Sequence, residues 1–270
     1  MYNLNLRKSK QIPVGIWEIN HTSSQWLCIW FNDENMPQSL IVNQLNEAVI
    51  MNKIAESFPQ YTTIQLKFIT AILPHKIFLK TLILPHDISP KELETQCIIA
   101  LEENLPLSLN DIWFDFMDRE LPQNQANQSR RIDIFAVIKE TALQTVAPYK
   151  PINIHVLDCA LNALLRGFHY FTLPSQEDKY DVLYLYRDDD FTIVFVNQPH
   201  SWLFQVKKSA NPLTLISSFC LQHNITPKHH FIHDCAQSNY SYPNKYTQII
   251  TPFSLIALGC ALWEGGDEGL

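Results

Sequence analysis

The sequence predicts an α/β protein, and three observations carry that prediction. A strand–helix–strand module with firm punctuation occupies Lys80 to Phe116, KTLILPHDISPKELETQCIIALEENLPLSLNDIWFDF. Each half of the chain reads as a meander of strands followed by helix, strand and helix. No low-complexity tract is visible, and no period of about 20–50 residues marks a repeat array.

The module is legible residue by residue. Thr81-Leu82-Ile83-Leu84 is apolar and β-prone, and Pro85 ends regular pairing. Ser89 suits the helix N-cap, Pro90 the first helical position, and Glu92 completes a Ser-x-x-Glu capping box. Leu93, Cys97, Ala100 and Leu101 share one face at helical spacing, while Glu92, Glu94, Gln96, Glu102 and Glu103 cover the other. Asn104 and Pro106 stop the helix. Ile112, Phe114 and Phe116 then alternate with Asp111, Trp113 and Asp115, a strand with two unlike faces.

The remaining elements follow in order. Pro13 to Phe31 predicts two strands around the polar turn Asn20-His21-Thr22-Ser23-Ser24, and Leu40 to Val42 a third. Asn43 to Phe58 predicts an amphipathic helix with Leu45, Val49, Ile54 (or Met51) and Phe58 inward. Thr63 to Leu73 is a strand ending at Pro74, with Lys76 to Leu84 as its hairpin partner. Asp118 to Arg131, polar and without periodicity, reads as an exposed loop or flap. Ile132 to Ile138 is a buried strand, Glu140 to Ala147 a short helix, Ile152 to Leu157 a strand and Cys159 to Phe171 a helix. Strands at Asp181–Tyr186, Phe191–Val196 and Trp202–Val206 form a second meander. A helix capped by Asn211-Pro212 runs through Gln222, followed by strands at Lys228–His233 and Ile249-Ile250 and a last helix at Phe253–Trp263.

Composition narrows the class. A chain of 270 residues fits one large domain or two lobes, and 46% hydrophobic residues suffice for a core. A net charge of −7 argues against a nucleic-acid or anionic-membrane surface for the chain as a whole, while leaving a local basic patch open. No apolar run reaches the ~18–20 residues of a membrane helix, and MYNLNLRKSKQIPVG lacks a signal-peptide core. The expectation is a soluble, cytoplasmic protein. Cys28, Cys97, Cys159, Cys220, Cys235 and Cys260 form no C-x-x-C pair and read as buried free thiols.

The Lys80–Phe116 stretch resembles the PilM family of type IV pilus assembly proteins. A strand runs into Leu84-Pro85, the acidic helix carries Glu92-Leu93-Glu94, and Leu105-Pro106 and Asp115-Phe116 follow in register. The short competence-type members, ComA- and HofM-like, are closest in length. The resemblance implies an actin-like fold of two RNase-H-like lobes, with a subdomain inserted in the first lobe and a shortened second lobe. The implied boundaries are 1–75 with part of 140–151 for the first lobe, 76–139 for the inserted subdomain and 152–270 for the second lobe.

Actin-like ATPases hold phosphates in one hairpin turn per lobe, where glycine lets backbone N–H groups approach and an aspartate organises Mg²⁺. The first turn reads Val14-Gly15-Ile16-Trp17-Glu18-Ile19-Asn20-His21-Thr22-Ser23-Ser24, with Trp17 in the aspartate's place and no following lysine. In the second, Tyr184-Leu185-Tyr186-Arg187-Asp188-Asp189-Asp190-Phe191-Thr192, three carboxylates stand where a polyphosphate would lie. Leu258-Gly259-Cys260-Ala261 resembles the adenosine-side motif. Gly15 and Gly259 are therefore what remains of a degenerate nucleotide cleft. No catalytic residue and no cofactor is called for, and weak ATP binding stays open.

Two other constellations read as structural. His229-His230-x-x-His233 lies in a strand pattern, which leaves His229 and His233 about 13 Å apart, too far for one ion, so no metal is expected. Asp158, ahead of the helix at Cys159, reads as its N-cap.

What the resemblance implies instead is docking. In PilM relatives the inserted subdomain and the first lobe take the N-terminal cytoplasmic tail of a PilN-like inner-membrane protein. The matching positions run along Ile72 to Phe78 and Leu93 to Leu105, which makes Ile77, Phe78, Leu101 and Leu105 candidate contacts. Trp113 joins them because it faces away from Ile112 and Phe114. The expected role is a non-catalytic adaptor, peripheral to the inner membrane through its partner and making no direct contact with nucleic acid. Two alternatives stay open: an actin-like ATPase hydrolysing Mg-ATP, and a GspL-like cytoplasmic scaffold of type II secretion. The second normally continues into a membrane helix, which this sequence does not reach by Leu270.

Overall fold

The structure is a computed structural model that describes residues 9–20, 24–121, 129–172, 180–208, 210–236 and 240–264. In its first half lie β1 (Ser9–Asn20), β2 (Gln25–Phe31), β3 (Pro37–Val42), α1 (Glu47–Ala55), β4 (Thr63–Ile72), β5 (Phe78–Pro85), α2 (Pro90–Asn104), β6 (Ile112–Glu120) and β7 (Ser129–Ile138). The second half adds α3 (Lys139–Val146), β8 (Val156–Cys159), α4 (Ala160–Phe171), β9 (Val182–Arg187), β10 (Thr192–Gln198), β11 (Ser201–Lys207), α5 (Pro212–His223), β12 (His229–Asp234), β13 (Thr247–Gln248) and α6 (Leu255–Ala261). Two compact units result: residues 1–72, 146–172 and 251–270, and residues 73–145 and 173–250.

The first unit is a five-stranded sheet in the order β3-β2-β1-β4-β8. The meander β1-β2-β3 is antiparallel, and β4 and β8 add in parallel. Alternation along β1 sends Ile12, Val14 and Ile16 into a core with Ile50, Ile54 and Phe58. Val49, expected inward, is 51% exposed. The helix begins later than its apolar pattern suggested, because the Asn46 side chain caps it by accepting from the Ala48 and Val49 N–H groups. That start turns Ile50 and Ile54 to the sheet. Thr70, fully buried, donates to the Ile16 carbonyl at 2.9 Å and meets the Tyr149 hydroxyl at 2.6 Å.

The second unit contains two sheets. The first is antiparallel, in the order β5-β7-β6, and α2 covers one face with Leu93, Cys97, Ala100 and Leu101 against Ile112, Ile132, Ile134 and Ala136. The capping box is formed: the Ser89 hydroxyl accepts from the Glu92 N–H, and the Glu92 carboxylate accepts from the Ser89 N–H. The second sheet runs β11-β10-β9-β12-β13, with α5 packed on Leu183, Leu185, Val194 and Val196 through Leu215, Ile216 and Phe219.

Several expectations are corrected. β5 is not the hairpin partner of β4, because a 3-10 turn at Pro74–Lys76 redirects the chain and β5 pairs with β7. Strand pairing extends into the stretch read as a loop, since β6 reaches Glu120 and β7 starts at Ser129; residues 122–128 of that stretch lie outside the described residues. The second lobe does not begin at 152: β8 pairs with β4, and α4 packs on α6, both in the first unit. The inserted segment 73–145 forms one unit with 173–250.

The link inside that second unit is Asp133, fully buried on β7. Its Oδ1 accepts from the Thr81 hydroxyl at 2.6 Å and from Arg131 Nε at 2.8 Å. Its Oδ2 accepts from Trp202 Nε1 at 3.0 Å and lies 3.2 Å from Arg119 Nε. Arg131, only 1% exposed, reaches on to the Asn197 side chain and the Gln198 carbonyl. A charge leaves water only when its partners satisfy it, and here each member supplies the other's counterion.

Candidate functional site

The two positions expected to hold phosphate are the β1–β2 and β9–β10 turns. The tip of the β1–β2 turn, residues 21–23, lies outside the described residues. Trp17 and Glu18, on the strand that leads to it, are half-buried.

Gly15 and Gly259 are accounted for by packing. A Cβ on Gly15 would lie 1.9 Å from the Ala257 carbonyl oxygen, so this glycine lets α6 rest directly on β1. A Cβ on Gly259 would lie 1.7 Å from the Ala163 carbonyl oxygen, and one on Gly167 would lie 2.5 Å from that of Leu255. The three glycines thus clamp α6 between β1 and α4. All three have ordinary backbone conformations, so none forms a left-handed phosphate loop.

The β9–β10 turn is described in full, and its donors are occupied. Asp188 Oδ1 accepts from the backbone N–H groups of Asp190 at 3.0 Å and Phe191 at 2.9 Å, while Tyr186 donates to Oδ2 at 3.2 Å. A phosphate in this turn would need those same N–H groups. The Asp188 carboxylate stands in for it. Burial pushes the Asp188 carboxyl from 3.8 up to about 6, against the opposing pull of its hydrogen bonds.

A raised native pKa has a defined consequence for stability. The native state binds the extra proton between the unfolded value and about 6, so this contribution is fully present below that window and is lost as pH rises through it. Across that rise the wild type should lose on the order of 2 kcal/mol more than an Asp188→Asn variant, after discounting for partial exposure. Urea unfolding at a series of pH values checks this. Parallel profiles for the two proteins would contradict it.

Asp158 does not cap α4 with its side chain bonded into the first turn. The N-cap residue is Cys159, without a side-chain cap bond. Asp158 Oδ1 instead accepts from the Cys159 N–H at 2.7 Å, and Oδ2 pairs with Arg166. Arg166 also donates from Nε to the Gly259 carbonyl at 2.8 Å, which fastens β8, α4 and α6 together. Burial pushes the thiols of Cys28 and Cys159 up to about 12, so they are poor nucleophiles at neutral pH. Cys28, Cys97, Cys159 and Cys260 are buried, as their apolar surroundings in sequence suggest, while Cys220 is half-buried and Cys235 exposed. β12 is a strand, with His233 1% exposed and His229 at the surface. Among the described residues no three metal-ligating side chains come together.

The five candidate docking residues fall on opposite faces of the three-stranded sheet. Leu101 is fully buried on the sheet-facing side of α2, and Phe78 and Leu105, half-buried, pack against the same cluster, so these three belong to the core side of the sheet. Ile77 and Trp113 share the face that α2 leaves uncovered. Trp113 lies opposite Val137, and Ile77, extended just ahead of β5, continues that row. The next row is Leu79–Phe135–Asp115, and the third is Thr81–Asp133–Met117, which Trp202 caps. Trp113 is 49% exposed, and Ile77, Leu79, Phe135 and Val137 are half-buried. Leu79, Phe135 and Val137 were missed from sequence. Their alternation along β5 and β7 carried the signal, but only the register places them beside Trp113.

No protein-family model matches the sequence, and no characterised protein matches it by sequence. Among solved structures the chain is similar to a chain of the PilM–PilN type IV pilus biogenesis complex. The TM-score is 0.54 at 12% identity, covering 92% of this chain and 97% of that chain. A protein of actin-like ATPase fold and unknown function from Bacteroides thetaiotaomicron aligns at a TM-score of 0.44 and 12% identity, over 98% of this chain and 100% of that one. The ethanolamine utilization protein EutJ from Carboxydothermus hydrogenoformans aligns at 0.31 and 8% identity, over 82% and 60%. The fold is actin-like α/β. Within that class its elements follow the fold of the matched chain of the PilM–PilN complex over 92% of their length. No helix among the described residues is long and apolar enough to cross a membrane.

Proposed function

We propose that this protein is a non-catalytic adaptor of a type IV pilus or competence pseudopilus assembly complex, and that it docks the N-terminal cytoplasmic tail of a PilN-like membrane protein. The observation that carries the reading is the near full-length likeness to a chain of the PilM–PilN complex. One feature favours docking over turnover: Asp188 consumes the N–H donors of the turn that would hold phosphate. The protein would work at the inner face of the inner membrane, held there by its partner and without ATP as a cofactor.

Co-expression with the PilN-like membrane protein tests the reading. The chain should fractionate with membranes when the partner is intact and be released when the partner's cytoplasmic tail is deleted. Release in both cases, with measurable ATP turnover by the purified chain, would favour an actin-like ATPase instead.

A further inference from the structure

We propose that Arg131 and Arg119 form a site for a small phosphate-type oxyanion at the seam between the β5-β7-β6 sheet and the β10–β11 hairpin. The inference goes beyond the adaptor reading and does not depend on it.

The register places the two arginines directly opposite each other, Arg119 on β6 and Arg131 on β7. Like charges so placed repel, and a fold tolerates them when an anion lies between them. Asp133 is one such anion: Arg131 Nε lies 2.8 Å from its Oδ1 and Arg119 Nε 3.2 Å from its Oδ2. Two guanidiniums on one carboxylate leave a positive excess. The surrounding elements are poor in acid. The hairpin packed over the pair, Thr192 to Lys207, contains no Asp or Glu, and its ionisable side chains are His200 and Lys207. On the same face of the three-stranded sheet the next acid is Asp115, four residues along β6 from Arg119 and so about 13 Å away. Asp118 lies on the other face and pairs with Arg130. The Trp202 ring centre is 5.5 Å from the Arg119 guanidinium carbon and 5.7 Å from that of Arg131, and it offers a π face but no countercharge.

A second observation points to a ligand. Arg131 is 1% exposed, and its Nη2 is buried without an acceptor. Its other nitrogens are taken, Nε by Asp133 and Nη1 by the Asn197 side chain and the Gln198 carbonyl. An unmet guanidinium N–H out of water is costly, and an oxyanion supplies both the acceptor oxygens and the negative charge. Arg119 is the member that solvent reaches, its side chain 26% exposed, so the anion enters beside it and is held between its guanidinium and Arg131 Nη2. Phosphate suits this better than a carboxylate, because its oxygens point in several directions and serve two guanidinium forks at once. The enclosed N–H admits a small ion and not a lipid surface or a nucleic-acid strand. Because Arg131 also holds Asn197 and Gln198, the bound anion stiffens the seam between the two sheets.

The test is thermal unfolding of the full chain over a series of inorganic phosphate concentrations, with chloride at matched ionic strength as the reference. The melting temperature should rise with phosphate and level off as the site fills, and hydrogen exchange in β5 and β11 should slow. Phosphate also stabilises proteins by exclusion from their surface, without saturating a site, so the variants decide. Arg119→Gln leaves Asp133 its bonds from Thr81, Arg131 and Trp202, and should weaken the apparent phosphate affinity at least about tenfold. Asp133→Asn removes the competing carboxylate, so it should bind phosphate more tightly than wild type and regain part of its lost stability. Lys91→Gln, at the exposed start of α2, should respond as wild type does. An unsaturating rise shared by wild type and Arg119→Gln, or a response in Asp133→Asn no greater than in wild type, would overturn the site and leave the docking reading untouched.

Discussion

Replacing Gly259 by alanine is expected to lower the melting temperature severely, without any nucleotide being involved. The new Cβ would lie 1.7 Å from the Ala163 carbonyl oxygen, 2.4 Å from its carbon and 2.9 Å from its Cα, so the obstacle is backbone on α4 and cannot rotate away. Overpacking costs typically about 1–3 kcal/mol, and a backbone clash belongs at or above the upper end. For a protein of this size that is a fall of roughly 6–12 °C. Gly15→Ala, with its Cβ 1.9 Å from the Ala257 oxygen, should behave alike from the other side of α6. Leu221→Ala, at a side chain 85% exposed, serves as a control that should stay within about 0.5 kcal/mol of wild type. Differential scanning fluorimetry reads all three. If the two glycines served only a nucleotide cleft, their alanine variants would melt like wild type and lose only ATP binding.

Asp133→Ala should be comparably damaging by a different route. The aspartate is fully buried and receives Thr81, Arg131, Trp202 and Arg119. Removing it leaves the Arg131 guanidinium, 1% exposed, without its counterion. Breaking a buried pair from one side costs about 3–5 kcal/mol. Asp133→Asn keeps acceptor capacity at one oxygen and should cost less. Because Trp202 Nε1 also loses its acceptor, the tie between the β5-β7-β6 sheet and β11 should loosen first. Hydrogen exchange should show faster opening in β11 and β5 than in β1 and β4. Uniform loss of protection in both units would contradict that localisation.

The Ser89 capping box, the apolar face of α2 and both meanders were legible because each is a local pattern: a cap three residues from its partner, or a strand alternating over a few positions. The pairing of β5 was not, because alternation identifies a strand without naming its neighbour. Arg131 was hidden at the end of a polar run, and it is buried only because Asp133, two residues on and therefore on the same strand face, neutralises it. Of the candidate site, the residue types were legible and their roles were not. Gly15 and Gly259 look alike in sequence whether they face a phosphate or a helix, and in the structure Gly15 lies against α6 and Gly259 against α4. Leu101 and Trp113 read alike as apolar contacts, yet α2 turns the first into the core and the β6–β7 register leaves the second exposed.

Docking that does not depend on nucleotide is measured by calorimetric titration of the purified chain with the partner's tail peptide, with and without Mg-ATP. Saturable binding of the peptide with the same affinity in both conditions is expected, with no heat from Mg-ATP alone. Absence of peptide binding together with clear binding of Mg-ATP would contradict it and establish the nucleotide as the ligand.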